Sequence, residues 1–147
     1  MGLDMYLTAN MYISESSNAG IAAAAAEHIP ELAIEGCSIR NVNVRIGHWR
    51  KANAIHRWFV DNVQGGNDDC RDYYVSRKQL SELKALCNLV LAHPELAAET
   101  LPPSDGCFFG SQAIDDFYFD DLRKTVEVIE RAAQFGDSWD FQYHSSW

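Results

Sequence analysis

The stretch Leu3-Asp-Met-Tyr-Leu-Thr-Ala-Asn-Met-Tyr-Ile13 puts Leu3, Met5, Leu7, Ala9, Met11 and Ile13 on one side of an extended chain. Asp4, Tyr6, Thr8, Asn10 and Tyr12 fall on the other. Strict period-two alternation is the mark of a half-buried β-strand, because successive side chains point to opposite faces. The pattern recurs twice. Val42, Val44 and Ile46 alternate with Asn41, Asn43 and Arg45, and Trp139, Phe141 and Tyr143 alternate with Asp140, Gln142 and His144. Shorter strands are expected at Asp72–Val75 and Cys107–Phe109. One apolar and one polar face per strand implies a mostly antiparallel sheet with its apolar face on the core and the other wet.

Helical periodicity fills the intervals. Asn53–Gln64 carries Ala52, Ile55, Phe59 and Val63 on one stripe and stops at Gly65-Gly66. Ser76-Arg-Lys-Gln79 reads as a capping box ahead of Leu80, Leu83, Cys87 and Leu91. His93-Pro94 ends that helix, and a helical turn is expected over Pro94–Thr100. A last helix is expected from Ile114 to Gln134, with Ile114, Tyr118, Leu122, Thr125, Ile129 and Ala133 inward and Gly136 beyond it. Ser14 to Asn18 is a polar loop, and the Ala22–Ala26 run favours helix but has little to bury. Residues 14–36 therefore read as a surface insertion, a helix between the first two strands. The fold class is α+β: one domain spanning residues 1–147, a small sheet with three main helices on one face.

Composition narrows the functional classes. The 147 residues are 47% hydrophobic and 22% charged, an ordinary globular balance. No apolar run reaches the ~20 residues of a membrane span. Asp4 stands where a signal peptide would be apolar, so a cytoplasmic protein is expected. Cys37, Cys70, Cys87 and Cys107 are scattered and form no CxxC pair, which predicts reduced thiols and no zinc site. The net charge of −9 disfavours duplex nucleic acid, which needs several cations on phosphates.

Charge is segregated, however. Residues 40–84 hold nine of the twelve Lys and Arg but five of the twenty-one Asp and Glu. The densest part is Gly47-His-Trp-Arg-Lys-Ala-Asn-Ala-Ile-His-Arg-Trp-Phe-Val-Asp-Asn-Val63. On a helical wheel Trp49, Asn53, His56 and Val60 flank the core stripe, while Arg50, Arg57 and Asp61 lie opposite it. Arg50 and Lys51 sit at or just before a helix N-terminus, where the macrodipole disfavours cations by ~0.3–1 kcal/mol. Cations there make sense beside a bound anion held by backbone N–H groups. Trp49 would stack on a planar group. The plainer reading packs Trp49 and Trp58 at the core edge and leaves the cations solvated.

Other groupings carry two readings each. Gly110-Ser111 lets backbone approach a ligand, or simply joins two elements. Asp115, Asp116, Asp120 and Asp121 form a carboxylate cluster or a solvated helix face, with Asp120–Lys124 and Glu127–Arg131 as i,i+4 pairs. Asp68-Asp69 reads as a turn. His48, His56 and His144 are candidate acid/base groups. The polar sheet face offers Asp4, Tyr6, Asn10, Asn41, Asn43, Arg45, Gln142 and His144, either wet or as a binding or oligomer surface.

Met1-Gly-Leu-Asp-Met-Tyr-Leu7, Trp49-Arg-Lys-Ala-Asn-Ala-Ile-His56, Trp58-Phe59, Phe108-Phe-Gly-Ser111 and Ser145-Ser-Trp147 together resemble a family of small uncharacterised proteins of tailed bacteriophages, prophages and some bacteria. The resemblance spans nearly the whole chain and is weakest over residues 14–38. It implies a phage accessory protein in the bacterial host cytoplasm and brings no activity with it. His48 stands where many members carry Tyr, so the resemblance implies no obligatory catalytic role for it.

The leading functional expectation is a non-enzymatic binder of a small anionic, nucleotide-like ligand, such as a host immune signal it would sequester. Trp49, Arg50, Lys51, Asn53, His56, Arg57, Gly110 and Ser111 would form the site, without metal or cofactor. One alternative is an inhibitor of a host protein partner, with homo-oligomerisation open. The other is a small hydrolase or transferase acting on a nucleotide through His56 with Asp61 or Asp4.

Overall fold

The Leu3–Ile13 alternation becomes strand β1, Asp4–Tyr12, whose odd-numbered residues are all buried. The structure is a computed structural model, and it describes residues 2–14, 19–106 and 109–147. Three further strands join β1: β2 (Asn41–Arg50), β3 (Tyr73–Val75) and β4 (Asp140–Ser146). They lie in the order β2-β1-β4-β3 with every neighbouring pair antiparallel. The two strands with the cleanest alternation at either end of the chain, β1 and β4, thus occupy the middle of the sheet. The α+β class with a mostly antiparallel sheet holds.

Helices α1 (Ala19–His28), α2 (Asn53–Asn62), α3 (Arg77–Ala92), α4 (Ala97–Thr100) and α5 (Asp116–Ala132) complete the fold, with short 3-10 turns at Pro30–Ala33 and Pro94–Leu96. Helix α3 begins at the expected capping box: the Ser76 side chain accepts from the Gln79 N–H while Gln79 reaches back to the Ser76 N–H. Helix α5 is capped by Asp115, whose carboxylate accepts from the Tyr118 N–H. Its inward stripe is Tyr118, Leu122, Thr125, Val128, Ile129 and Ala132. Ile114 and Ala133, expected inward, are exposed because the helix starts after Ile114 and ends at Ala132, so neither sits within its inward stripe. Helix α1 covers part of the expected 14–36 insertion and is largely exposed. The polar loop expected beyond Ser14, to Asn18, lies outside the described residues, as do Cys107 and Phe108 of the expected strand 107–109; Phe109 itself is in no strand.

The core lies between the sheet and α2, α3 and α5. Phe59 of α2 stacks on Tyr143 of β4 with ring centroids 3.9 Å apart, and Trp49, Ile55, Leu83 and Leu122 close around them. No helix among the described residues is long and apolar enough to cross a membrane.

Strand β2 departs from expectation in a way that decides the site. Leu7 pairs with Gly47 but Thr8 pairs with Arg45, leaving Ile46 as the extra residue of a β-bulge. Val42 and Val44 share the face of Met11 and Ala9; beyond the bulge, Gly47 and Trp49 take that side opposite Leu7 and Met5. The strand therefore runs on to Arg50, and Trp49 is not a helical residue. Gly47 is required there because a Cβ would stand 2.5 Å from Val128 Cγ1 and 3.1 Å from Trp49 Cη2. Arg131 donates to the Ile46 carbonyl at the bulge rather than pairing with Glu127.

Candidate functional site

Where β2 ends and α2 begins, the backbone turns sharply through Lys51, Ala52 and Asn53. The Lys51 N–H still donates to Leu3 O, closing the β1–β2 ladder, and Asn53 N–H donates to Lys51 O. Lys51 takes φ of 61°, the left-handed region that non-glycine residues rarely occupy and that costs of order 1–3 kcal/mol. Helix α2 then starts from Ala52, which has no side-chain oxygen with which to cap it. Among the described residues the N–H groups of Ala54 and Ile55 have no acceptor.

These groups line a cleft of about 330 Å³ together with Arg50, Gly110, Ser111 and the first turns of α5. Asn53 builds the opposite lip. Its Nδ2 donates to Phe109 O at 3.2 Å and Ser111 O at 2.8 Å, and its Oδ1 accepts from Ser104 N–H. Gly110 adopts φ of 90°, and a Cβ on it would lie 3.1 Å from Lys51 Cβ, so glycine is needed for both conformation and proximity.

Helix α5 brings acidity to the same cleft. Asp115, Asp120 and Asp121 line it, with Phe117 80% exposed among them. Asp120 is held by Arg123 at 2.6 Å rather than by Lys124. Burial pushes the Asp121 carboxyl up to about 6; Lys124 opposes the shift, and Asp120 and Asp115 add to it. The cleft is thus lined by two cations from the β2–α2 junction and by carboxylates from α5.

The expected site residues divide. Arg50, Lys51, Asn53, Gly110 and Ser111 converge on the cleft. Trp49 does not: it is fully buried, and its Nε1 donates to Thr125 Oγ1 at 2.9 Å. A strand residue facing the core has no ring face to offer a ligand. Arg57 points to solvent and pairs with Asp61 at 3.6 Å. His56 is 1% exposed in the core. Its Nδ1 lies 2.7 Å from the Tyr143 hydroxyl and its Nε2 3.1 Å from Asp68 Oδ1.

Burial lowers the His56 pKa and Asp68 opposes this, while burial drives the Tyr143 hydroxyl far up. Trp147, half-exposed, donates its indole N–H to the same Asp68 oxygen. The His56 cluster thus ties α2, the loop after it and the C-terminal strand. Asp4 lies 2.9 Å from His48 Nε2. His56, Asp61 and Asp4, grouped as a hydrolytic set from sequence, point to three separate partners.

Sequence reasoning missed the importance of Asp68 and Asp121. Asp68 follows two glycines like any turn residue, and its imidazole partner is contributed by a buried helix. Asp121 sits among exposed carboxylates, and only its position beside Leu122 on the helix hinted at burial.

Comparison of the chain with models of protein families, with curated protein sequences and with solved structures found no match.

Proposed function

We propose that the protein is a non-enzymatic binder of a small phosphate-bearing ligand of mononucleotide size, held in the cleft between the α2 N-terminus and α5. The observation that carries this reading is the pair of acceptor-less N–H groups of Ala54 and Ile55, two buried residues that line the cleft beside Arg50 and Lys51. Unpaired N–H groups at a helix start are donors ready for an anion, and the helix dipole adds to them. The strained Lys51 backbone fits the same picture, since such conformations concentrate at ligand-binding positions.

The carboxylates of α5 suit the other end of such a ligand. Asp120 and Asp121 would accept from sugar hydroxyls, and the exposed Phe117 offers the apolar face that Trp49 cannot. A volume near 330 Å³ sits at the lower end of the about 300–1,000 Å³ usual for small-ligand clefts, which favours a mononucleotide over a dinucleotide. On the sequence resemblance, the setting we propose is a phage accessory protein in the host cytoplasm.

The test is thermal shift with inorganic phosphate, nucleoside monophosphates and sugar phosphates on the wild type, Arg50→Ala and Lys51→Ala. Wild-type stabilisation should grow with ligand concentration as mass action requires and shrink in both variants. Unliganded Arg50→Ala and Lys51→Ala should melt at or slightly above the wild type, because each removes a cation from a helix N-terminus. A wild type that responds to none of these anions rules the reading out.

A further inference from the structure

The face of the sheet away from the core carries its own arrangement of charge and rings. Arg45 lies with its guanidinium carbon 4.4 Å over the Tyr6 ring, and Tyr6 stacks on His48 at 4.9 Å with planes 10° apart. His144 of β4 continues the array at 6.2 Å from Tyr6. These four side chains come from adjacent strands, because Tyr6 pairs with both His48 and His144 and Thr8 pairs with Arg45. Arg50, opposite Asp4 on the same face, stands where the sheet meets the cleft.

The arginines of β2 differ from the others. Arg57, Arg71 and Arg123 are ion-paired, and Arg77 and Arg131 donate to carbonyls. Among the described residues Arg45 and Arg50 of β2, like Arg40 and Lys51 just beyond its ends, have no carboxylate or carbonyl acceptor. In a chain with twenty-one Asp and Glu these cations stand without an ion-pair partner, while the carboxylates on this face, Asp4 and Asp72, are held by His48 and His144. Arg45 is also held flat against an aromatic ring, which orders its guanidinium while leaving its N–H donors free.

We propose that the Arg45–Tyr6–His48 end of this sheet face binds single-stranded nucleic acid, with phosphates on Arg45 and Arg50 and bases stacked against that array. Antiparallel sheets bearing aromatic and guanidinium planes bind unpaired bases this way, because every base offers a π-face. An acidic peptide would use the cations but not the rings. A second copy pairing along the β2 edge would bring like arginines together, which edge strands use to prevent such pairing. A duplex hides its base faces and meets the net charge of −9.

The test is fluorescence anisotropy with labelled dodecamers of thymidylate and of uridylate, using the wild type, Arg45→Gln, Tyr6→Leu and Lys51→Ala. Saturable wild-type binding is expected, weakened about tenfold in Arg45→Gln, with the log–log salt slope shallower by about 0.7 for the lost phosphate contact. Tyr6→Leu should weaken binding by a similar factor. Arg45→Gln should keep the wild-type thermal response to mononucleotide, and Lys51→Ala should keep most dodecamer binding, so this surface and the cleft fail independently. Four results overturn the proposal: no saturable binding; equal affinity in Arg45→Gln; dodecamer binding lost only in Lys51→Ala, which places the strand in the cleft; and concentration-dependent dimerisation abolished by Arg45→Gln without any oligonucleotide response.

Discussion

Replacing Asn53 separates its structural duty from a simple place at a helix start. In Asn53→Ala, the carbonyls of Phe109 and Ser111 lose the amide that donates at 3.2 and 2.8 Å, and the Ser104 N–H loses its acceptor. Asn53 is 5% exposed, so water does not replace these partners freely. Two lost donor bonds at about 1 kcal/mol each, plus partial desolvation of the orphaned groups, give a loss of about 2–3 kcal/mol. For a chain of this length that lowers Tm by about 6–10 °C. Asn53→Asp is the sharper probe. It keeps the shape and the acceptor but points a carboxylate oxygen at two carbonyls. As the first residue of α2 it also gains ~0.3–1 kcal/mol from the helix dipole, which is too little to offset the repulsion. Urea denaturation should therefore place Asn53→Asp at or below Asn53→Ala. An Asn53→Asp protein as stable as the wild type would refute the loop-tying role and leave only the dipole.

Gly47→Ala should cost about 1–3 kcal/mol by overpacking against Val128, and adding Val128→Ala should recover part of that loss; strictly additive effects in denaturation would contradict the close approach. Asp121 holds its proton up to about 6, above its unfolded value of 3.8, so its contribution to stability falls as pH rises through that window and is flat above it. An anion beside it is favoured when it is protonated. Sulfate affinity by calorimetry should rise as pH drops from about 8 to about 5, and Asp121→Asn should flatten the trend. A pH-independent wild type would count against the cleft. Cys37 and Cys70 are exposed, whereas Cys87 is buried with its thiol pushed up to about 12. A thiol reagent should label the first two in the native protein and Cys87 only on unfolding, as mapped by mass spectrometry; equal rates would misplace α3.

Much of the fold was legible in local pattern. The β1 alternation, the Ser76–Gln79 capping box and the buried faces of α3 and α5 rest on spacings of two to four residues. The second half of β2 was not legible, since one extra residue at Ile46 reverses which side faces the core. That reversal is visible only once pairing with β1 is known. Trp49 was misread as a helix-flank ring for this reason. The charge segregation drew attention to Arg50 and Lys51, which line the cleft. The partners that define the site lie far along the chain: Asn53 holds Ser111, and α5 supplies Asp121. Long-range pairing of this kind leaves no periodic trace.

The most direct measurement is a two-dimensional amide NMR titration of the native protein with inorganic phosphate. Saturable shifts largest at the N–H groups of Ala54 and Ile55, with Lys51, Gly110 and Ser111 following and Lys51→Ala weakening the response, are the expected result. Shifts that do not saturate, or that map away from the α2 N-terminus, would contradict the anion-binding cleft.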